Sequence, residues 1–215
     1  MNDYTTDEEL SNKIKEWWAK NGLAVVMSAT LAIGLFGGFT YWSSIKNQKA
    51  ENLSINYSQI LVAYNENRLD DAESLAHAII EFDKSSNYAL LSKLILAKIK
   101  FESGNTSSAK NLLNQVIIEG KQIELDTIAR ERLARILLQE SNAEDARLVL
   151  LNSNLKPADR SLELLGDIYQ EQGDLKAAGK AYDEALTNYN NIGQDTRYLL
   201  LKINMLENIK AKDIK

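Results

Sequence analysis

Apolar and polar positions divide this chain into two regimes. From Gly22 to Trp42 (GLAVVMSATLAIGLFGGFTYW) run 14 apolar residues, four glycines and three hydroxyl residues without a charge, and Lys20 and Lys46 are the nearest ionisable side chains. A helix of this length, rising about 1.5 Å per residue, spans roughly 30 Å, the thickness of a bilayer's hydrocarbon core. It also satisfies its own backbone groups, as lipid requires. Trp17 and Trp18 precede the stretch and Tyr41 and Trp42 end it, placing amphipathic rings for both headgroup interfaces as interfacial anchors. One transmembrane helix over 22–42 is predicted. A cleavable signal peptide would have a shorter apolar region behind a short basic leader. Here the leader is long and partly acidic, and Gly38-Phe39-Thr40 is a poor cleavage candidate, so an anchored chain is expected.

Residues 1–21 are predicted to form a cytoplasmic amphipathic helix. Thr6-Asp7-Glu8-Glu9 fits a capping box, and Leu10, Ile14, Trp17 and Trp18 fall on one helical face. Asn21-Gly22 is expected to weaken the helix and let it turn from the membrane plane into the span. Inside the span Gly34 and Gly38 form GxxxG, and Ser28 lies at four-residue spacing with Ala24 and Ala32. Small residues let another helix approach closely, either a second copy or a different protein. Lys13, Lys15 and Lys20 lie before the span, against Lys46 and Lys49 beyond it. That slim excess predicts a cytoplasmic N-terminus with residues 43–215 carried across.

Beyond about Ser44 the pattern becomes amphipathic helix throughout, with a single proline, Pro157. Four short breaks punctuate it: Glu66-Asn67-Arg68, Ser103-Gly104-Asn105, Glu140-Ser141-Asn142 and Gln172-Gly173-Asp174. Each is followed by an alanine, Ala72, Ala109, Ala146 and Ala178, at separations of 37, 37 and 32 residues. Twelve residues before the last three stand Ala97, Ala134 and Gly166; four after them stand Leu113, Leu150 and Tyr182. Two antiparallel helices approach closely only where small residues meet, with a large apolar residue one turn on to fill the space. The period is that of helix–turn–helix repeats. The last copy, Leu162, Leu165-Gly166, Tyr169, Ala178, Tyr182 and Ala185, resembles the tetratricopeptide repeat. The middle copies match in part, with Lys100 where an aromatic is usual and Ser153 where a small apolar residue is; the first is degenerate, with Ile60 and Ala76 at the matched sites. An all-α solenoid of hairpins is predicted, with helices near 46–66, 69–82, 86–103, 106–119, 122–139, 143–152, 158–172 and 175–188. A closing helix near 195–209 should cover the last apolar face.

Charge and candidate chemistry narrow the function classes. The chain carries 25 basic and 30 acidic residues, a net charge of −5, which argues against a nucleic-acid surface. Cysteine is absent, so disulfides, thiolate metal sites and a cysteine nucleophile are excluded. The single histidine, His77, lies off the apolar face made by Ala72, Leu75, Ala76 and Ile79, without companions. Asp70-Asp71 suits a helix start, and Ser141-Asn142-Ala143-Glu144 fits a second capping box. No P-loop, GxGxxG, GxSxG or HExxH pattern occurs. No enzyme activity, cofactor or metal site is expected.

A single N-terminal span followed by tetratricopeptide-like hairpins resembles the ancillary SecYEG translocon subunit family (YfgM-type) of the bacterial inner membrane. The resemblance is carried by Trp17-Trp18-Ala19-Lys20-Asn21-Gly22, by Gly34, Gly38 and Tyr41-Trp42, by the repeats, and by Leu201-Lys202-Ile203-Asn204. It implies a single-pass protein with a periplasmic repeat domain. It further implies association with membrane lipid, the SecYEG channel and a periplasmic chaperone of PpiD type, and assistance to unfolded exported proteins. The residue pattern alone leaves a second reading open, an anchored scaffold for another envelope machine such as cell division or outer-membrane assembly.

Overall fold

The punctuation residues set the architecture. The computed structural model describes residues 7–119, 122–152 and 159–213, and among these the chain is helical with no strand. The helices are α1 (Asp7–Asn65), α2 (Leu69–Phe82), α3 (Asn87–Glu102), α4 (Thr106–Glu119), α5 (Ile123–Gln139), α6 (Ala143–Leu151), α7 (Asp159–Glu171), α8 (Leu175–Asn191) and α9 (Arg197–Asp213). The chain divides into two compact units, Met1–Ile55 and Asn56–Lys215. Thr6, Ser153 and Pro157 lie outside the described residues.

In the first unit the expected turn at Asn21-Gly22 does not occur, and α1 runs through it unbroken. The Asn21 side-chain amide donates to the Trp17 carbonyl at 3.0 Å, so it bonds along the helix rather than ending it. Gly22 lies under the Trp18 indole, with space for a Cβ only 3.1 Å from Nε1. The span's hydroxyls are likewise returned to the helix. Ser28 donates to the Ala24 carbonyl at 2.7 Å, Thr30 to that of Val26 at 2.8 Å and Thr40 to that of Gly37 at 2.9 Å, so the serine and threonine hydroxyls of the stretch are bonded along the helix, as a lipid environment requires.

In the second unit each break has one build. Its central residue is left-handed: Asn67 at φ 59°, Gly104 at 82°, Ser141 at 60° and Gly173 at 78°. The next amide then reaches back five residues. Arg68 bonds the Ala63 carbonyl at 2.9 Å, Asn105 that of Lys100 at 2.8 Å, Asn142 that of Leu137 at 2.9 Å and Asp174 that of Tyr169 at 2.9 Å. This pairing satisfies carbonyls that a helix end would otherwise orphan. In the last three breaks the third residue also caps the following helix. Asn105 accepts from the Ser108 amide at 3.2 Å, Asn142 from Asp145 at 3.3 Å and Asp174 from Ala177 at 2.9 Å. The capping box expected from Ser141 and Glu144 is therefore displaced by one residue. Ser141 is spent on the left-handed turn, and Glu144 pairs with Arg147 at 2.6 Å.

Between breaks, the small residues meet. Ala97, Ala109 and Leu113 share one core cluster, and Ala134, Ala146, Leu150, Ala178 and Tyr182 share the other. In the degenerate first copy Ile60, Ala72 and Ala76 are all 0% exposed. Fully burying an aliphatic side chain such as Ile60 or Leu113 is worth about 1.5–3 kcal/mol. Lys100, at a site usually aromatic, bonds Glu73 across α2 and α3 at 2.5 Å, an ion pair in place of a ring contact. That bond, opposed by partial burial, holds the Glu73 carboxyl below its ordinary pKa.

The closing helix α9 packs on α8 through buried Leu199 and Leu206. It is also tied to α7 by Lys202, whose Nζ lies 2.7 Å from both Glu163 and Asp167. Tyr182 of α8 donates its hydroxyl to Asp167 at 2.7 Å, and Tyr189 donates to Glu163 at 3.1 Å. Burial alone would lower the Lys202 pKa, but the bonds to Asp167 and Glu163 outweigh it and hold the ammonium above its ordinary 10.5. Burial, then the bond to Asp167, pushes the Tyr182 phenol well above its ordinary 10.0.

Two predictions follow from this packing. A Cβ at Gly166 would stand 2.2 Å from Tyr182 Cε1, and Tyr182 is 1% exposed with its hydroxyl held. Gly166→Ala should cost about 1–3 kcal/mol and lower the Tm by roughly 2–12 °C, measured by circular dichroism. Gly34→Ala, with nothing within 4 Å, should change it little, and an unaltered Tm for Gly166→Ala contradicts the close crossing. The second prediction concerns pH. Both Lys202 and Tyr182 are raised on folding, so the stability they contribute is full below about pH 10 and falls as pH rises further. Urea unfolding at about pH 10 to 12 should show a shallower loss for Tyr182→Phe than for the unaltered protein, and equal slopes overturn the assignment.

Candidate functional site

Two surfaces stand outside the packing. The first is the span with its flanks. Trp17, Trp18, Tyr41 and Trp42 are 54, 53, 71 and 61% exposed. The Trp17 and Trp18 rings lie 6.3 Å apart, and Lys46 Nζ sits 5.6 Å from the Trp42 ring. Ser28, Gly34 and Gly38 are exposed on the same helix, and a Cβ at either glycine would meet nothing within 4 Å. This is the chain's one helix long and apolar enough to cross a membrane among the described residues.

The second surface is a groove between the first helices of adjacent hairpins, α3 and α5, with a volume of about 480 Å³. Lys98, Phe101 and Glu102 come from one face of α3, three and four residues apart. Arg132, Arg135, Ile136 and Gln139 come from one face of α5 at the same spacings, and Leu113 of α4 lies between them. Tyr64 of α1 donates its hydroxyl to the Glu102 carboxylate at 2.9 and 2.8 Å, and Lys98 Nζ stands 4.6 Å from the Tyr64 ring. Arg132 donates to the Leu94 carbonyl at 2.9 Å. Arg135 reaches Glu131 at 3.8 Å, and Glu131, 7% exposed, accepts from the Ser161 hydroxyl at 2.9 Å. Burial, with Arg135 adding to it and Tyr57 opposing, holds the Arg132 guanidinium below its ordinary pKa. Phe101 and Ile136 give the groove an apolar lining beneath these charges.

Of the repeat residues singled out from sequence, Ala97 and Leu113 line this groove and the others do not. Ala109, Ala134, Ala146, Gly166, Ala178 and Tyr182 are buried between helices, and Tyr169 is half-buried. None of the groove's charged residues was singled out. The signal that could have found them is the i, i+3, i+4, i+7 row from Arg132 to Gln139 on a hairpin's first helix. His77 is exposed and 3.6 Å from Glu73. No group of three or more His, Cys, Asp or Glu residues is placed to hold a metal among the described residues. The groove sets cationic donors next to apolar surface.

Comparison with known proteins gives a consistent picture. The tetratricopeptide repeat-like domain family matches residues 15–208. A protein of Aggregatibacter actinomycetemcomitans is 32% identical over 188 residues, covering 86% of this chain and 91% of its own. One of Escherichia coli K12 is 24% identical over 185 residues, covering 85% and 88%. Both are named ancillary SecYEG translocon subunit. Among solved structures, pilF of Pseudomonas aeruginosa superposes with a TM-score of 0.62 at 14% identity, covering 76% of this chain and 71% of that one. BtubC of P. vanneervenii gives 0.55 at 13% identity, covering 66% and 64%. These two likenesses show the helical-repeat fold alone. With the match to its relatives running through most of both chains, this membrane-anchored repeat protein belongs to the ancillary SecYEG translocon subunit family.

Proposed function

We propose that the chain is a non-enzymatic adaptor of the Sec translocon. Its span associates with the SecYEG channel, its N-terminus faces the cytoplasm, and its repeat domain stands in the periplasm. There the repeats link the channel to a chaperone of PpiD type and help handle exported proteins. The observation that carries this reading is the 32% identity over 91% of a relative named for its place on the translocon. Three further features support it. The lysine excess before the span favours this orientation. The open small-residue face at Gly34 and Gly38 suits close approach by another helix. The groove between α3 and α5 is of a kind that takes a protein segment.

The test replaces Gly22–Trp42 with an unrelated apolar span of equal length. The unaltered protein should co-purify with channel subunits in mild detergent, and the exchanged protein should recover at least tenfold less at an unchanged repeat-domain Tm. Full retention after the exchange contradicts the role given to the span. No recovery of channel subunits with the unaltered protein contradicts the adaptor reading itself.

A further inference from the structure

Five arginines of the second unit are paired with acids. Arg68 meets Glu66 and Asp71, Arg130 meets Asp126, Arg135 meets Glu131, Arg147 meets Glu144 and Arg197 meets Asp195. Arg132 has no acid at ion-pair distance among the described residues. It is half-buried in the groove between α3 and α5 and donates to the Leu94 carbonyl. Its electrostatic neighbours are Tyr57 and a second cation, Arg135. Tyr57 does not supply the missing charge, because burial outweighs Arg132 and raises its phenol above the ordinary 10.0, leaving it neutral near pH 7.

A guanidinium has five donors in a planar fork. Half-burial removes part of its water, and an unpaired charge in that state is costly. The groove does hold an acid, Glu102, but it stands with Lys98 at 3.9 Å and shares the single Tyr64 hydroxyl proton between its two oxygens, so its one charge is set against Lys98 rather than Arg132. Lys98 on one wall and Arg132 and Arg135 on the other therefore leave a local positive excess, in a chain whose net charge is −5. Phe101 and Ile136 supply apolar surface next to that excess.

We propose that this groove docks an extended segment of a partner protein, which presents an aspartate or glutamate side chain to Arg132 and Arg135 and lays a neighbouring apolar side chain against Phe101 and Ile136. This deepens the adaptor reading and rests on it. The carboxylate completes the fork of Arg132 with two parallel N–H···O bonds. It also relieves the repulsion between the two arginines. Lys98, on the facing wall, adds attraction that salt weakens.

The test uses the full-length protein in phosphatidylcholine nanodiscs, whose lipid carries no net charge. It is panned with a phage library of random 12-residue peptides fused at their C-terminal ends, so that every carboxylate displayed is a side chain. Recovered peptides should be enriched several-fold in Asp and Glu over the unselected library. Their affinity should fall at least tenfold in Arg132→Gln and several-fold in the more exposed Arg135→Gln, which serves if the first variant unfolds. Selection of peptides without acidic enrichment, no selection at all, or acidic peptides indifferent to both variants would overturn the proposal. If any of these occurs while the unaltered protein still recovers channel subunits, the adaptor reading stands and the acidic segment alone is lost.

Discussion

The repeat domain depends on one steric constraint, the absence of side-chain bulk where two helices of a hairpin cross. Gly166 and Tyr182 show it most plainly, because the ring occupies the place a Cβ would take, 2.2 Å away. With that contact made, the rest of the last hairpin follows. The Tyr182 hydroxyl is brought to Asp167, Asp167 is brought to Lys202, and Lys202 fixes the closing helix. Packing at the crossing thus positions the charges, rather than the charges positioning the helices. Alanines at the two middle crossings allow the same approach with less to fill. Leucines, Leu113 and Leu150, stand there in place of the tyrosine.

The turns supply the complementary constraint. A left-handed residue, followed in the last three breaks by a side-chain cap, ends one helix and starts the next within three residues, which fixes the register of each hairpin. Repetition of that unit sets first helices beside one another, and α3 and α5 so placed make the groove. A groove arises here from the repeat itself. The fold is shared with pilF at 14% identity, so few of the side chains that face into that groove need be shared.

Much of this was legible in the sequence because its causes are local. The break triplets announced helix ends to within a few residues: helices expected at 69–82 and 106–119 are found there, while the eighth runs on to Asn191. The span was legible from its uncharged length. What misled was also local. Asn21-Gly22 reads as a helix breaker, yet Asn21 bonds back to Trp17 and the Trp18 ring covers Gly22. Ser141 and Glu144 read as a capping box, yet the left-handed turn claims Ser141 first. What stayed hidden is long-range. Lys202 finds Asp167 from 35 residues away, and no pattern along the chain marks Arg132 as an arginine without an acid beside it, because that depends on what the other helices bring to it.

The central claim is that the groove of the repeat array, on a chain anchored beside the Sec channel, is where partner proteins dock. The most direct measurement is in-cell photo-crosslinking of the full-length protein, with the photoreactive residue at Gln139 or Lys98 in the groove, or at Ile118, which is 82% exposed and outside its lining. Mass spectrometry should identify a periplasmic chaperone or exported proteins from the groove positions and not from Ile118, with channel subunits in the same purified complex. Crosslinks of equal yield from Ile118, or groove crosslinks confined to division or outer-membrane assembly proteins, would contradict it.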